Sequence, residues 1–322
     1  MSIDRYGLVV VTPIYEDTEA SSQLFEALAA SFPDQIYVIA VDDGSVKQPV
    51  SVHSLERAGL EGVVIKLRRN VGHQRAIAIG LGYASERVLP KHRIIVMDSD
   101  GEDQPSTIGE LLATLDSKDF DVVVAQRKSR VETVRFKLFY AVYKIFFWAM
   151  TGRTINFGNF TALKSHAVKR LVAMQESSIH FAAAILASKL RVGSALLDRG
   201  SRYAGRSKMN FVGLVLHGFK GLMVFAEDVL VRVGIACALI AVLSVTGVLF
   251  AIVLKLLGFS TPGWFSVALG ILVLMLLQTG ALALMTLMLT GVVRGGTVSA
   301  VIAHHEFIDS VVETAPRDAV NA

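Results

Sequence analysis

Two uncharged apolar runs, close together near the C-terminus, constrain this 322-residue chain more than any other feature. Val233 to Leu254 is bracketed by Arg232 and Lys255; the second run, best from Trp264 to Val293, ends at Arg294. A helix needs about 20 apolar residues to cross a bilayer, and both runs are long enough. The short link Gly258-Phe259-Ser260-Thr261-Pro262-Gly263 makes them a helical hairpin. They also explain most of a hydrophobic content of 52%, which is high for a soluble protein. The remaining chain is then a hydrophilic domain held at a membrane face, a setting that suggests chemistry between a water-soluble substrate and a lipid one.

Charge placement orients that picture. The net charge is only +4, but Arg199, Arg202, Arg206, Lys208, Lys220 and Arg232 crowd the approach to the first run, and Arg294 follows the second. The connecting loop carries no charge, so the positive-inside rule places the domain and the tail in the cytoplasm. Basic residues there also suit anionic headgroups. Nucleic-acid binding is not expected, because no aromatic–basic interleaving occurs. The N-terminus enters a strand-like run without a charged-then-apolar leader, so no signal peptide is expected. Cys237, inside the first apolar run, excludes an intramolecular disulfide and a multi-cysteine metal site. It reads as a small buried hydrophobe.

The first half alternates strand-like and helix-like segments. Leu8–Val11, Ile36–Val41, Val63–Leu67, Ile94–Met97 and Asp121–Ala125 are short apolar, β-branched runs. Ala20–Ala30, Gln74–Arg87 and Pro105–Leu115 read as helices, the second with Ala76, Ala78, Gly80 and Ala84 for close packing. This order predicts an α/β domain whose mostly parallel sheet is covered on both faces. Ligands bind such sheets beyond the carboxyl ends of the strands. Those ends carry Pro13-Ile14-Tyr15-Glu16, Asp42-Asp43-Gly44-Ser45, Arg69-Asn70-Val71-Gly72, Asp98-Ser99-Asp100 and Gln126-Arg127, so the polar motifs converge on one rim. Phe136–Met150 has aromatics at helical spacing, and Met209–Val231 is apolar and weakly charged; both suit helices lying in the membrane interface. The end, Glu313–Ala322, is expected to fray.

Asp98-Ser99-Asp100 carries the sharpest chemistry. Two carboxylates one residue apart at a strand end face a divalent cation together, and hard oxygen ligands suit Mg²⁺ or Mn²⁺ bridging phosphate oxygens. Glu102 and Asp103 lie close enough to add a ligand. Alone, the motif is weak and reads more readily as an acidic turn capping a helix; four other rim motifs tip the balance. An Asp in Asp42-Asp43-Gly44-Ser45 can accept from a base imide or a ribose hydroxyl, or simply shape a turn. Arg127 and Arg130, and the cluster Arg202 to Lys208, are cationic groups suited to phosphates. The second cluster reads alternatively as a membrane-facing basic patch. Adjacent histidines on a helix point apart, so His304-His305-Glu306 is expected to be a polar turn and not a metal site. His73, His166, His180 and His217 show no partner in sequence, although His73 lies near the nucleotide rim. No phosphate-binding Gly-Lys loop, Gly-x-Ser-x-Gly elbow or dinucleotide-binding glycine fingerprint is present, which weakens ATPase, hydrolase and dehydrogenase readings.

Taken together, these residues resemble a family-2 glycosyltransferase of the GT-A fold. More narrowly, they resemble the polyprenyl-phosphate glycosyltransferases, the group that contains dolichol-phosphate mannose synthase and bacterial undecaprenyl-phosphate glucosyltransferases. The resemblance covers about residues 7–294 and rests on Pro13-x-Tyr15-Glu16, Val41-Asp42-Asp43-Gly44-Ser45, Arg69-Asn70-x-Gly72, Asp98-x-Asp100-x-x-Asp103-x-Pro105 and Arg202-x-x-Gly205-x-Ser207-Lys208 ahead of two spans. It implies a GT-A domain over 1–207 that includes an interfacial helix at about 134–150. A juxtamembrane helix at 208–231, spans at about 233–255 and 264–293 within 232–294, and a cytoplasmic tail at 295–322 follow. It implies that Pro13, Tyr15, Glu16, Asp42, Asp43, Asn70 and Asp98 hold the nucleotide sugar. Asp98, Asp100 and Glu102 would hold Mg²⁺ or Mn²⁺. Arg127, Arg130, Arg202, Ser207 and Lys208 would meet phosphates, with Asp98, Asp100, Arg127 and Arg202 carrying catalysis.

The implied reaction is inverting transfer of a sugar, UDP-glucose first, to undecaprenyl phosphate at the cytoplasmic face of the plasma membrane. The membrane lipid is a partner, and small residues such as Gly270, Gly280 and Ala283 favour a homo-oligomer. Two departures stand out: Glu102 where the family commonly has Gln, and Asn156-Phe157-Gly158-Asn159-Phe160 where many members carry two acids. The second departure leaves a non-catalytic nucleotide-sugar-binding or assembly subunit as one alternative. A processive polysaccharide synthase is the other, although its Gln-x-x-Arg-Trp motif and extra spans are missing.

Overall fold

The computed structural model describes residues 2–127, 134–203, 211–259, 263–296 and 304–315. The apolar runs of the first half become β1 (Leu8–Ile14), β2 (Ile36–Asp42), β3 (Glu61–Leu67), β4 (Arg93–Val96) and β5 (Val122–Arg127). Between them lie α1 (Thr18–Ser31), α2 (Val52–Arg57), α3 (His73–Ser85) and α4 (Ile108–Ser117). Asp17 caps α1 by accepting from Ala20 N, and Ser51 caps α2 by accepting from His53 N; each relieves an orphan donor of the first turn. The second half contributes α5 (Val134–Thr151), β6 (Phe157–Lys164), α6 (Ser165–Val172), α7 (Phe181–Ala187), β7 (Val192–Leu197) and α8 (Phe211–Met223). Then come α9 (Ala226–Leu256), α10 (Trp264–Gly296) and β8 (Ile308–Glu313).

The eight strands form one sheet in the order β7-β5-β6-β4-β1-β2-β3-β8. β1 pairs in parallel with β2 and β4, as do β2 with β3 and β5 with β7; β6 and β8 run against their neighbours. The sheet is therefore mostly parallel, as the GT-A resemblance implied. Alternation along each strand splits the core in two. Val9, Val11, Ile39 and Val41 pack with Ile77 and Ile79 of α3 and Leu171 of α6. Val10, Val38 and Ile95 pack with Leu24, Phe25 and Leu28 of α1 and Leu111 of α4. Each such side chain fully buried stabilises the domain by about 1.5–3 kcal/mol. Gly80 lets α3 approach: a Cβ there would lie 2.6 Å from Val11 Cγ1 and 2.9 Å from Val41 Cγ2.

Two expectations about the tail need correction. Glu313 does not fray; it pairs with Val63 as the end of β8, which runs antiparallel along the edge of β3. Covering an edge strand removes a row of unpaired backbone groups, and Thr314 extends the contact through its N–H to Gly62 O at 3.0 Å. Nor do His304 and His305 point apart. They lie in a short 3₁₀ turn, His304–Phe307, with rings 3.9 Å apart.

The chain divides into two compact units. The first, residues 1–140, 155–224 and 300–322, holds the sheet. The second, 141–154 and 225–299, holds α9, α10 and the second half of α5. Within this second unit Phe147 stacks edge-on against Phe225 at 6.0 Å, and Arg232 donates to Ala149 O at 3.0 Å. α9 and α10 are long and apolar enough to cross a membrane, and only 17% and 6% of their most apolar windows are buried. A core helix of a soluble protein would be mostly covered, so these surfaces want lipid or another apolar partner.

Candidate active site

The rim at the carboxyl ends of β1, β2 and β4 is built by acidic side chains that fold their own loops. Asp42 Oδ1 accepts from Ser45 N (2.9 Å) and Oδ2 from Val50 N (3.1 Å). Asp43 reaches the next loop: its oxygens accept from Val71 N at 2.7 Å and Gly72 N at 3.0 Å. Burial raises the Asp43 carboxyl above the usual range, against the pull of those two N–H groups. Glu16, at a positive φ of 46°, accepts from the backbone N–H groups of Val46, Lys47 and Gln48. The Val46 bond leads in holding its pKa below the ordinary value. These three carboxylates, expected to hold a nucleotide directly, are thus engaged in fixing the loops that wall the rim. Pro13 is buried within β1 opposite Val41 and shapes the strand end from inside the sheet, not from the rim surface. Tyr15 and Asn70 are exposed at the rim.

The turn after β4 is the centre of the site. Asp98 N donates to Asp103 Oδ2 (2.9 Å) and Glu102 N to Asp100 Oδ1 (3.0 Å), which folds residues 98–103 tightly. The segment after β7 lies alongside: Gly200 N donates to Glu102 O, and Tyr203 N to Asp100 O. This pairing delivers two guanidinium groups. Arg202 places Nη2 2.8 Å from Asp100 Oδ2 and Nε 3.0 Å from Glu102 Oε1, while Arg199 pairs with Glu102 Oε2. Glu102 was expected as a metal ligand. Both its oxygens instead face arginines, because the family's neutral Gln is replaced here by a charge that attracts them. The acidic pair left for a cation is Asp98 and Asp100.

On the other side of Asp98, His73 Nε2 lies 3.1 Å from Asp98 Oδ1. Asn159 Nδ2 reaches both, at 3.0 Å from that nitrogen and 3.5 Å from Asp98 Oδ1. Burial raises the Asp98 carboxyl, but the charge and hydrogen bond of His73 outweigh it and hold the group below the usual range. For His73, burial is likewise overcome by Asp98, and its pKa rises. Asp100 moves the other way: burial first, then the Asp98 charge, push it up despite Arg202. Asn159 is held in turn by Gln74 Nε2 (3.2 Å), whose Oε1 accepts from Phe181 N (2.6 Å). Beside Phe181, the rings of His180 and His217 lie 4.3 Å apart.

Sequence reasoning missed Arg199 and Gln74 as members of this cluster, and placed His73 near the rim without a partner or role. It marked Asn159 only as a departure from a pattern. A histidine opening the Ala/Gly-rich helix was the one available signal for His73. Arg127 ends β5 opposite Leu197; its side chain lies outside the described ones, and Arg130, Ser207 and Lys208 lie outside the described residues.

Comparisons with known proteins assign the chain a family. The glycosyl transferase family 2 pattern matches residues 9–173, just over half of the chain, from within β1 to beyond β6. The uncharacterized glycosyltransferase YkoT of Bacillus subtilis is 24% identical over 276 residues, covering 82% of this chain and 81% of its own. A dodecaprenyl-phosphate galacturonate synthase of Rhizobium johnstonii is 30% identical over 134 residues, 40% of this chain and 38% of its own. Among solved structures, glucosyl-3-phosphoglycerate synthase from Mycobacterium tuberculosis, in complex with Mn²⁺, UDP-glucose and phosphoglyceric acid, superposes with a TM-score of 0.48. It is 16% identical over 70% of this chain and 79% of that one. On the extent of that pattern and the relatives that share it, the chain belongs to glycosyl transferase family 2.

Proposed function

We propose that this glycosyltransferase moves a sugar from a nucleotide-diphosphate sugar to a polyprenyl phosphate at the cytoplasmic face of the plasma membrane, with inversion at the anomeric carbon. The observation that carries the reading is the turn Asp98 to Glu102 at the mouth of the sheet, where Arg202 pairs with Asp100 and Glu102 and Arg199 pairs with Glu102. It joins a cation-seeking carboxylate pair to phosphate-seeking guanidinium groups within one cluster. The chain runs on from Arg202 to α8, which exposes Val212, Leu216, Phe219 and Met223. Their helical spacing makes one apolar stripe suited to a bilayer surface. α9 and α10 then anchor the protein in the bilayer. The Rhizobium relative, by name a dodecaprenyl-phosphate galacturonate synthase, supports a polyprenyl acceptor; UDP-glucose is the first donor to test.

The residues fit a divalent ion. Asp98 and Asp100 supply hard oxygen donors one residue apart, and burial first, then the Asp98 charge, raise the Asp100 carboxyl. Held there, Mg²⁺ or Mn²⁺ would neutralise charge on the departing diphosphate. The chain's own groups do the rest. Tyr15 and Asn70 border the nucleotide, in walls held by Asp42, Asp43 and Glu16. Arg202, a planar fork now shared between Asp100 and Glu102, can turn to diphosphate oxygens with little loss of pairing. His73 and Asn159 fix the Asp98 carboxylate, so it does not reorient as charge develops. An acceptor phosphate is already ionised at neutral pH. One of its oxygens forms the new bond to the anomeric carbon as the bond to the diphosphate breaks, and the electron pair leaves with the nucleotide. Positioning, not proton removal, is the catalytic demand.

A transfer assay tests this directly. Purified full-length protein in lipid receives undecaprenyl phosphate, Mn²⁺ or Mg²⁺, and a panel of labelled UDP- and GDP-sugars. Label in a lipid-extractable product is expected from one donor and should vanish with EDTA. Label released only to water, or moved only to a soluble acceptor, would overturn the acceptor assignment. Undiminished transfer in EDTA would overturn the metal.

A further inference from the structure

Away from the active site, Glu86, His304 and His305 bring three metal-type ligand atoms together, all within 4.8 Å of one another. Glu86 follows α3, and the two histidines open the turn that leads into β8. His304 Nε2 lies 3.2 Å and His305 Nε2 2.8 Å from the same oxygen, Glu86 Oε1. The other carboxylate oxygen is taken by Arg87 Nη1 at 3.1 Å, and the Arg87 guanidinium lies over the Tyr83 ring. Among the described residues, this division of labour leaves Oε1 to the two imidazoles.

The seat of His304 is built into the fold. Its side chain is only 12% exposed and occupies the space that a Cβ on Gly82 would need, 2.8 Å from its Cγ and Nδ1. Leu81, Met174 and Gln175 line the same small cavity. His304 Nε2 is shielded from water, yet makes no well-aligned hydrogen bond. A proton satisfies one nitrogen–oxygen pair; two imidazoles and one oxygen converging on a point suit a metal ion better.

We propose that Glu86, His304 and His305 bind one late first-row divalent ion, zinc foremost, with water as fourth ligand, and that the ion clips the chain after α10 onto α3. Two imidazoles and a carboxylate suit zinc and disfavour Mg²⁺. Bonds of about 2.0–2.2 Å in a tetrahedron set ligand atoms about 3.4 Å apart, so the present 2.8 and 3.2 Å separations need only small outward shifts. The ion holds β8 at the edge of β3, because His305 and Ile308 are separated by a single short turn. It leaves the Asp98–Asp100 pair untouched.

The test uses the untagged full chain in detergent, stripped by chelator, carrying Asp98→Asn and Asp100→Asn to remove the other acidic pair. Co²⁺ should bind with one equivalent, give the visible bands of a tetrahedral ion, and be displaced by Zn²⁺. His305→Ala and Glu86→Gln should each weaken binding at least tenfold, since even outer-shell losses cost about 10–100-fold. Zn²⁺ should slow amide exchange in residues 308–313 of the parent and not of the variants. Melting of each variant without metal, compared with the parent, separates loss of a ligand from loss of the fold. Absence of a stoichiometric Co²⁺ complex, or equal affinity in folded Glu86→Gln and His305→Ala, would overturn the site.

Discussion

Gly44 offers the most exacting test of how the rim is built. Its φ is +70°, and a Cβ there would stand 2.4 Å from Arg69 C, 2.5 Å from Asn70 N and 2.9 Å from Arg69 Cα. All three are backbone atoms, so no side chain can swing aside. Gly44→Ala therefore meets two costs: about 1–2 kcal/mol for a left-handed L-residue and about 1–3 kcal/mol for overpacking. The sum, roughly 2–5 kcal/mol, should lower the melting temperature by roughly 5–15 °C. It should also weaken donor binding, because the displaced loop carries the Asp43 bonds to Val71 and Gly72. Gly72→Ala is the internal control. Its φ is +91°, but no atom lies within 4 Å of its Cβ position, so only the conformational cost applies. Gly109→Ala, on α4 with equally open surroundings, should be neutral or stabilise by up to about 1 kcal/mol. The assay is thermal unfolding of the three purified variants in one detergent, with nucleotide affinity by calorimetry. If Gly44→Ala melts no lower than Gly72→Ala and binds nucleotide normally, close backbone approach is not what requires glycine at position 44.

Three further outcomes follow from the same geometry. Asp43→Ala strips two charge-assisted bonds and leaves two backbone N–H groups short of acceptors; a loss of about 3–6 kcal/mol is expected, read by denaturation, with Asp43→Asn losing about half as much. Arg202→Lys cannot span Asp100 and Glu102 together, so turnover should fall at least roughly tenfold, with a circular dichroism spectrum unchanged from the parent as the check on fold. His180 is held at about 3 by burial and the neighbouring His217. The unfolded chain therefore takes up its proton near pH 6.5 while the folded one does not. Stability should be flat above about pH 7 and fall by about 2 kcal/mol by pH 5, and His180→Asn, which keeps a helix cap without titrating, should flatten that slope.

Much of the fold was legible in the chain. β1 to β5 are mainly apolar runs because the sheet buries both faces, and α9 and α10 stand out because they are the longest apolar runs in the sequence. β8 was not legible. Ile308-Asp309-Ser310-Val311-Val312-Glu313 is short and mixed, and it becomes a strand only because β3, far away in sequence, offers an open edge. The site divides in the same way. Asp98-Ser99-Asp100 could be marked as a candidate cation seat from residue types and spacing. Which oxygens remain available was decided elsewhere: Glu16, Asp42 and Asp43 spend theirs on loop N–H groups, and Glu102 is claimed by Arg199 and Arg202. His73 and Asn159 meet at Asp98 only because α3 and β6 begin beside the carboxyl end of β4. Local periodicity and residue chemistry are properties of neighbouring residues, so the sequence alone determined the elements and the kinds of groups at the rim. Hydrogen-bond capacity and charge pairing are consumed between segments distant in the chain, so only the tertiary structure decided which of those groups are bonded to other loops of the protein.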